Sequence, residues 1–229
     1  MTPASSFVSR PSPNHDARPT EGAVDMLVLH YTGMRSCAEA LDRLCDPKAK
    51  VGAHYLIDEN GTIYALVAED RRAWHAGVAS WRGTRDVNAR SIGIELVNPG
   101  HEFGYRAFPD AQMKALIDLA RDVVARHPIP PRNVIGHSDV APARKSDPGE
   151  LFDWPRLSQA GLGLWPGTVA PDAASEAEVL ARLESYGYDV SDARAAILAF
   201  QRHFRASRVD GAPDPDTAGK IKALLRLAG

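Results

Sequence analysis

The amino-acid sequence predicts an α/β domain followed by a small helical domain, on three observations. Residues 26–29 form a short, continuous apolar run, which is typical of a strand covered on both faces. Residues 109–127 repeat apolar side chains at the 3.6-residue period of an amphipathic helix. A small-residue stretch, 167–175, then precedes a C-terminal part, 176–229, with three further helical patterns.

Size and composition are those of an ordinary globular chain. The 229 residues suit one medium domain and a small one, and 44% hydrophobic residues can form a real core. The formal net charge of −2 indicates neither a nucleic-acid nor a membrane partner. The sequence contains no run of about 18 apolar residues, so no transmembrane helix is predicted. We expect a monomer.

The first residues, 1–24, are predicted to be an extended arm on the surface, because they contain prolines and few apolar side chains. They lack the charged and apolar regions of a secretory signal. Cys37 and Cys45 lie on one predicted helix, about 12 Å apart along its axis, which is too far for a disulfide and suggests buried thiols. These observations favour the cytoplasm, with the periplasm as the alternative.

The first predicted strand ends in His30, which is either a metal ligand or a packed core histidine. Ser36 is expected to cap a helix, with Glu39 as its capping-box partner. Residues 53–57 and 62–67 are expected to form a hairpin, because Asn60-Gly61 lies between them.

A long loop, 71–90, combines aromatic residues with arginines and contains Trp74 and His75. This combination suits a carboxylate-bearing or sugar ligand. The alternative is a loop held in place by buried tryptophans.

The next strand, 91–97, is expected to be central in the sheet. Ile92, Ile94 and Leu96 share one face, and Glu95 lies on the other. A carboxylate inside such an apolar strand would be desolvated, which raises its pKa and suits it to a role as a base. The alternative is a structural glutamate in a salt bridge.

A second apolar run, 133–136, follows the amphipathic helix and leads into a Gly/Pro-rich loop, 136–149. His137 and Asp147 in this loop could close on one cation, with Lys145 beside them and a third ligand supplied from elsewhere. Zinc in catalytic sites commonly takes three His, Asp or Glu ligands, and His30 completes such a set. Glu95 could then act as the base, and Lys145 could face the oxyanion.

Four separated motifs resemble, in order and spacing, the zinc-dependent N-acetylmuramoyl-L-alanine amidases of the amidase_2 family, the branch that includes AmpD and AmiD. The motifs are His30-Tyr31-Thr32, Trp74-His75-Ala76-Gly77, Ser91-Ile92-Gly93-Ile94-Glu95, and Gly136-His137-Ser138-Asp139 continuing to Lys145-Ser146-Asp147-Pro148-Gly149. The resemblance covers roughly residues 10–166. It implies a mixed central β-sheet flanked by helices, as in T7 lysozyme and the peptidoglycan recognition proteins, within a catalytic domain at 25–166.

The resemblance also implies residue roles. It assigns Zn²⁺ to His30, His137 and Asp147, and catalysis to Glu95 and Lys145. The implied reaction is hydrolysis of the amide between N-acetylmuramic acid, or its 1,6-anhydro form, and L-alanine of the stem peptide, in cell-wall recycling or turnover. A non-catalytic muropeptide-recognition protein on the same scaffold is the alternative. The residues expected to bind the substrate are Tyr31, Trp74, His75, Arg85 and Asn88.

The C-terminal part resembles the three-helix peptidoglycan-binding module that often accompanies such amidases. The resemblance rests on the segment from Leu183 to Tyr188, the segment from Ala199 to Phe204, and Asp210-Gly211. The expected partners are therefore anhydro-muropeptides or intact peptidoglycan.

Overall fold

The computed structural model describes residues 7–19 and 23–229 of the chain. Eight strands and nine α-helices follow one another within these residues. The strands are β1 (Val8–Ser9), β2 (His15–Ala17), β3 (Met26–Tyr31), β4 (Tyr55–Ile57), β5 (Ile63–Ala65), β6 (Arg71–Ala73), β7 (Ser91–Leu96) and β8 (Val134–Gly136). The helices are α1 (Cys37–Cys45), α2 (Val87–Arg90), α3 (Gly100–Phe103), α4 (Asp110–Arg126), α5 (His137–Val140), α6 (Trp154–Gln159), α7 (Glu176–Tyr186), α8 (Ala193–Phe204) and α9 (Pro215–Leu227).

Six of the strands form one mixed sheet in the order β1-β5-β4-β7-β3-β8. Strands β4, β7, β3 and β8 run parallel, whereas β5 pairs antiparallel with β4 through the predicted hairpin. The mixed central sheet flanked by helices is therefore confirmed. Strands β3 and β8, both predicted from continuous apolar runs, are neighbours in the sheet. Their apolar character fits parallel strands, which are covered on both faces.

The register of the two central strands brings the predicted chemistry together. His30 in β3 lies directly opposite Glu95 in β7. Because side chains alternate between the faces of a sheet, these two project on the same side. The intervening residues Leu29 and Ile94 project to the other side and are fully buried there.

Helix α4 covers the face to which Leu29 and Ile94 project. Its apolar stripe, which includes Met113, Leu116 and Val123, belongs to the same core cluster as those strand residues. The predicted helix at 109–127 agrees with α4, and Pro109 occupies its N-cap position. Likewise, the Ser36 hydroxyl caps α1 by accepting a hydrogen bond from the backbone N–H of Glu39.

The C-terminal helices pack against the opposite face of the sheet. Met26, Val28 and Ile135 from the strands share one buried cluster with residues of α7, α8 and α9, including Leu183 and Phe200. The three predicted helical patterns are present, with α7 ending before Gly187. A core continuous with the sheet stabilises a helical unit too small to bury much apolar surface alone.

The N-terminal arm differs from the expectation. Residues 1–6 and 20–22 of the predicted arm, 1–24, lie outside the described residues. The rest is extended but does not merely lie on the surface, because β1 pairs with β5 and β2 pairs with β6. Ser12 and Asn14 are buried, and both side chains donate to the carbonyl oxygen of Leu44. Pairing with distant strands, which local sequence cannot reveal, decides this packing.

Three smaller differences concern local structure. The loop at 71–90 contains β6 and α2, and the loop at 136–149 begins with one helical turn, α5. Cys37 and Cys45 are free, as expected, but both are partly exposed rather than buried. Among the described helices, none has the length and apolar character required to cross a membrane.

Candidate metal centre and active-site pocket

A pocket of about 390 Å³ opens over the end of the central strands. Glu95, His137, Lys145 and Asp147 line it, and His30 is buried beneath it. The structure thus brings together all five residues for which the sequence predicted a metal-binding or catalytic role.

The local fold of residues 136–147 presents His137 and Asp147 side by side. His137 opens the helical turn α5, and the backbone N–H of Ser138 donates to the carbonyl oxygen of Asp147 at 2.8 Å. Gly136 is required because a Cβ atom there would lie 2.7 Å from Cδ of Pro148. The loop therefore closes tightly on itself and turns both side chains toward His30.

Three potential ligand atoms converge at this point. The Nδ1 atoms of His30 and His137 are 2.9 Å apart. Oδ2 of Asp147 lies 3.2 Å from Nδ1 of His30 and 3.0 Å from Nδ1 of His137. Tetrahedral zinc with bonds of about 2.0–2.1 Å places its ligands roughly 3.3 Å apart, so this spacing fits a zinc-sized cation.

The protonation of His30 is fixed by a chain of hydrogen bonds. Ser91 donates through Oγ to the carbonyl oxygen of Val87 at 2.6 Å, so it accepts a hydrogen bond from Nε2 of His75 at 3.0 Å. Nδ1 of His75 is then free to accept from Nε2 of His30, also at 3.0 Å. Because burial lowers the pKa of His30 to about 4, the ring is neutral and its Nδ1 carries only a lone pair.

The tautomer of His137 is fixed in a similar way. Its Nε2 lies 3.1 Å from the carbonyl oxygen of Ala76, which can only accept. The side-chain oxygen of Asn88 in turn accepts from the backbone N–H groups of His75 and Ala76 at 3.2 and 2.8 Å. The contact with the Ala76 carbonyl assigns a proton to Nε2 of His137 and turns its Nδ1 toward the convergence point.

Two imidazole nitrogens and a carboxylate oxygen thus face one another inside the protein. Burial opposes ionisation of Asp147, but its contacts with His137 and His30 hold the pKa of that carboxyl well below its usual range. Two imidazole nitrogens and a carboxylate oxygen at this spacing are a donor set that a divalent cation could occupy. His30, His137 and Asp147 also form a group of metal-ligand geometry within the described residues.

Glu95 has the environment of a general base. Its Oε2 atom is buried and has no hydrogen-bond partner among residues 7–19 and 23–229. Burial raises the pKa of Glu95 well above its ordinary value, and the nearby Asp147 carboxylate raises it further, whereas Lys145 lowers it. A carboxyl group tuned in this way can accept a proton and later return it near neutral pH.

The five residues predicted to bind substrate fall into two groups. Tyr31, Trp74 and His75 line the pocket, and His75 is nearly buried, with 8% of its surface exposed. Arg85 and Asn88 do not line this pocket, and a substrate-binding role for them stays a prediction. Arg85 lines a separate groove beside Asp189, and Asn88 is buried behind His75, whose backbone N–H donates to its side chain.

Two arginines line the pocket instead, namely Arg43 on α1 and Arg144 in the loop before Lys145. Sequence reasoning missed both of these residues and also missed the part that Ser91 plays behind His75. Arg43 lies in a helix, far in sequence from any motif. Only the Arg144-Lys145 pairing offered a local signal.

Comparisons with known proteins agree with this geometry. A family model described as N-acetylmuramoyl-L-alanine amidase, Amidase_2, matches residues 20–150. The chain is 41% identical to the N-acetylmuramoyl-L-alanine amidase AmiD of Escherichia coli, over 90% of this chain and 84% of AmiD. It is 37% identical to the 1,6-anhydro-N-acetylmuramyl-L-alanine amidase AmpD of Salmonella typhimurium, over 64% of this chain and 86% of AmpD.

A solved structure shows the same relationship in three dimensions. The complex of E. coli AmiD with the substrate anhydro-N-acetylmuramic acid-L-Ala-D-γ-Glu-L-Lys superposes with a TM-score of 0.82 and 38% sequence identity, covering 93% of each chain. The matched family model spans more than half of the sequence, and the similarity to AmiD extends over nearly all of it. The chain therefore belongs to the Amidase_2 family of N-acetylmuramoyl-L-alanine amidases.

Proposed function

We propose that the protein is a zinc-dependent amidase that hydrolyses the bond between N-acetylmuramic acid, or its 1,6-anhydro form, and L-alanine of the stem peptide. The observation that carries the proposal is the convergence of the Nδ1 atoms of His30 and His137 with the Asp147 carboxylate, beside Glu95. The donor set of His30, His137 and Asp147 is one that zinc commonly takes in catalytic sites.

The roles of the protein groups follow from their positions. A zinc ion held by the three ligands would polarise the scissile carbonyl and lower the pKa of water. Glu95 would take the proton of the attacking water and pass it to the leaving nitrogen of L-alanine. Lys145, which also lines the pocket, would place its positive charge beside the developing oxyanion.

The pocket suits a substrate that carries several carboxylates. AmpD is named for a 1,6-anhydro-N-acetylmuramyl substrate, and the AmiD complex contains an anhydro-muramyl tripeptide. We infer that this chain accepts the same class of muropeptide. Arg43 and Arg144 would attract the stem-peptide carboxylates, and Tyr31 and Trp74 would provide walls for the sugar or peptide.

Metal removal and substitution of Glu95 test the mechanism. Chelation should abolish release of the stem peptide, and added Zn²⁺ should restore it. Glu95→Gln should keep the metal but reduce kcat by about 10²- to 10⁴-fold, because the base is lost. Glu184→Gln on the exposed surface of α7 is the matched control and should leave the rate unchanged.

Two results would contradict the proposal in different ways. Cleavage that survives both chelation and Glu95→Gln would show that the mechanism is wrong. Metal-loaded protein that binds muropeptide without cleaving it would instead favour a recognition protein on the same scaffold.

The substrate form and the compartment are part of the proposal. Free thiols persist in reducing compartments, so Cys37 and Cys45 favour the cytoplasm and recycled anhydro-muropeptides. A peptidoglycan-binding role for the helices in 176–229 would favour intact wall instead. Comparing rates on 1,6-anhydro-muropeptide and on isolated sacculi, together with sedimentation of the full chain with sacculi, distinguishes these two substrates.

A further inference from the structure

A buried carboxylate connects the C-terminal helices to the metal-binding loop. Asp139 has no exposed surface, and its side chain accepts three hydrogen bonds. The backbone N–H of Gly136 donates to it at 2.7 Å, the hydroxyl of Tyr188 at 2.6 Å, and Nδ1 of His203 at 2.7 Å. Two of the three donors therefore come from the C-terminal part of the chain.

On the side of the sheet, Asp139 holds the turn that presents a metal ligand. It is the third residue of α5, which begins at His137. Its bond to the N–H of Gly136 closes the turn around His137, and the neighbouring N–H of Ser138 fixes the backbone of Asp147. A displacement of Asp139 would therefore move the backbone that positions His137.

On the side of the helices, both donors are held rigidly. The His203 ring on α8 stacks between Trp154 and Phe204, with ring centroids 3.6 and 3.7 Å away. Tyr188 follows α7 and packs edge-on against Trp81. Burial raises the pKa of Tyr188 well above its ordinary value, so its hydroxyl remains a donor.

The burial of Asp139 makes these contacts more than ordinary packing. A buried carboxyl oxygen that loses its donor is left desolvated and unpaired, so the group must move or find another donor. Loss of the Tyr188 hydroxyl would leave Oδ1 of Asp139 without its donor at a site closed to water. The turn carrying His137 is bonded to the same carboxyl group through the N–H of Gly136, so this turn would shift with it.

We propose that Tyr188 and His203 are positioning residues for the metal centre, which act on His137 through Asp139. The C-terminal helices would then belong to the catalytic apparatus, whether or not they also contact the cell wall. This inference rests on the proposed metal site at His30, His137 and Asp147.

The test compares metal affinity in two hydroxyl-deletion variants. Tyr188→Phe keeps the ring but removes the donor to Asp139. Tyr186→Phe is the matched control, because Tyr186 is a buried neighbour whose hydroxyl makes no hydrogen bond within the described residues. We expect the Zn²⁺ dissociation constant, measured by chelator competition, to rise about tenfold in Tyr188→Phe and to stay unchanged in Tyr186→Phe.

A second variant and a second readout separate positioning from general stability. His203→Phe keeps a ring between Trp154 and Phe204 but removes the Nδ1 donor, and it should weaken Zn²⁺ binding in the same direction. Melting temperatures of the metal-free variants show how far each protein is destabilised. The Co²⁺-loaded proteins should show a changed absorption spectrum only in the Tyr188 and His203 variants.

The outcomes distinguish this inference from the function on which it rests. The proposed metal site itself fails if the wild-type protein binds no Zn²⁺, or if His30→Ala binds Zn²⁺ as well as the wild type does. If wild type binds Zn²⁺ and both variants bind it equally well, the metal site stands and the inference is overturned, even where the melting temperatures fall.

Discussion

The hydrogen bonds behind His30 and His137 both lead to backbone carbonyl oxygens. Val87 is the last acceptor in the chain through His75 and Ser91, and Ala76 is the acceptor for His137. Because a carbonyl oxygen cannot donate, each series of hydrogen bonds has one direction only: the Nε2 atoms of His30 and His137 donate, and their Nδ1 atoms face the convergence point. This orientation prepares the site for a cation and is the usual function of the groups behind a metal ligand.

A neighbouring histidine, His54, should make stability depend on pH. Burial lowers its pKa to about 3, and protonation would set Nδ1 against the N–H of Gly93, which donates to it at 2.9 Å. The unfolded chain takes up a proton below about pH 6.5 while the folded protein does not, so stability is complete above that pH and falls below it.

The measurement is the free energy of unfolding between pH 7 and pH 5. We expect His54 to account for a loss of about 2 kcal/mol over this interval, since each pH unit below its unfolded pKa contributes about 1.4 kcal/mol. His54→Asn, which keeps an acceptor but cannot be protonated, should show a flatter profile. Equal slopes in the two proteins would exclude this origin.

At the scale of elements, β7 contributes to the site through both of its faces and through a glycine, Gly93, that leaves space for a neighbouring ring. Glu95 points into the pocket, and Ile92 and Ile94 point into the core under α4. Gly93 faces the His75 ring, and a Cβ atom at this position would lie 2.4 Å from Cγ of that ring. The glycine therefore makes room for the residue that orients His30.

Gly93→Ala should consequently disturb both the strand and the metal centre. The added methyl group forces the His75 ring to move, at a cost of about 1–3 kcal/mol typical of overpacked cores. We expect lower stability in denaturant and weaker Zn²⁺ binding. Ile92→Val, on the opposite face of β7, is the control and should reduce stability by about 0.5–1.5 kcal/mol without changing metal affinity. Unchanged Zn²⁺ binding in Gly93→Ala would show that His75 adjusts without consequence for His30.

At the scale of the whole molecule, the sheet lies between two different coverings. Helix α4 covers one face, and the C-terminal helices cover the other through the cluster that contains Met26, Val28 and Ile135. The small-residue segment 167–175 thus joins two parts of one continuous core. The division into a catalytic domain that ends at residue 166 and a helical domain that begins at residue 176 remains a prediction from the sequence.

Removal of residues 167–229 should therefore expose apolar surface on the sheet. Met26, Val28 and Ile135 have at most 2% of their surface exposed in the full chain. We expect the shortened chain to bind a hydrophobic dye, to melt at a lower temperature and to aggregate. Addition of the separate 167–229 fragment should reverse these effects in part. A shortened chain that stays monomeric and melts like the full protein would contradict a shared core.

Local sequence was sufficient for several elements and for the members of the site. The apolar run at 26–29, the helical period at 109–127 and the cap at Ser36 each depend on neighbours in the chain, and α4 and α1 agree with them. The separated motifs containing His30, Glu95 and His137 indicated which side chains to bring together. Short-range periodicity and the spacing of motifs are properties that sequence carries directly.

Tertiary structure alone decided how these side chains are arranged and held. Contacts between residues far apart in sequence set the register that places His30 opposite Glu95. They also form the hydrogen bond between His75 and Ser91 and bury Asn88. The same holds for the bonds of Tyr188 and His203 to Asp139. Such contacts depend on side-chain geometry after the chain has folded, which no local pattern of residues encodes.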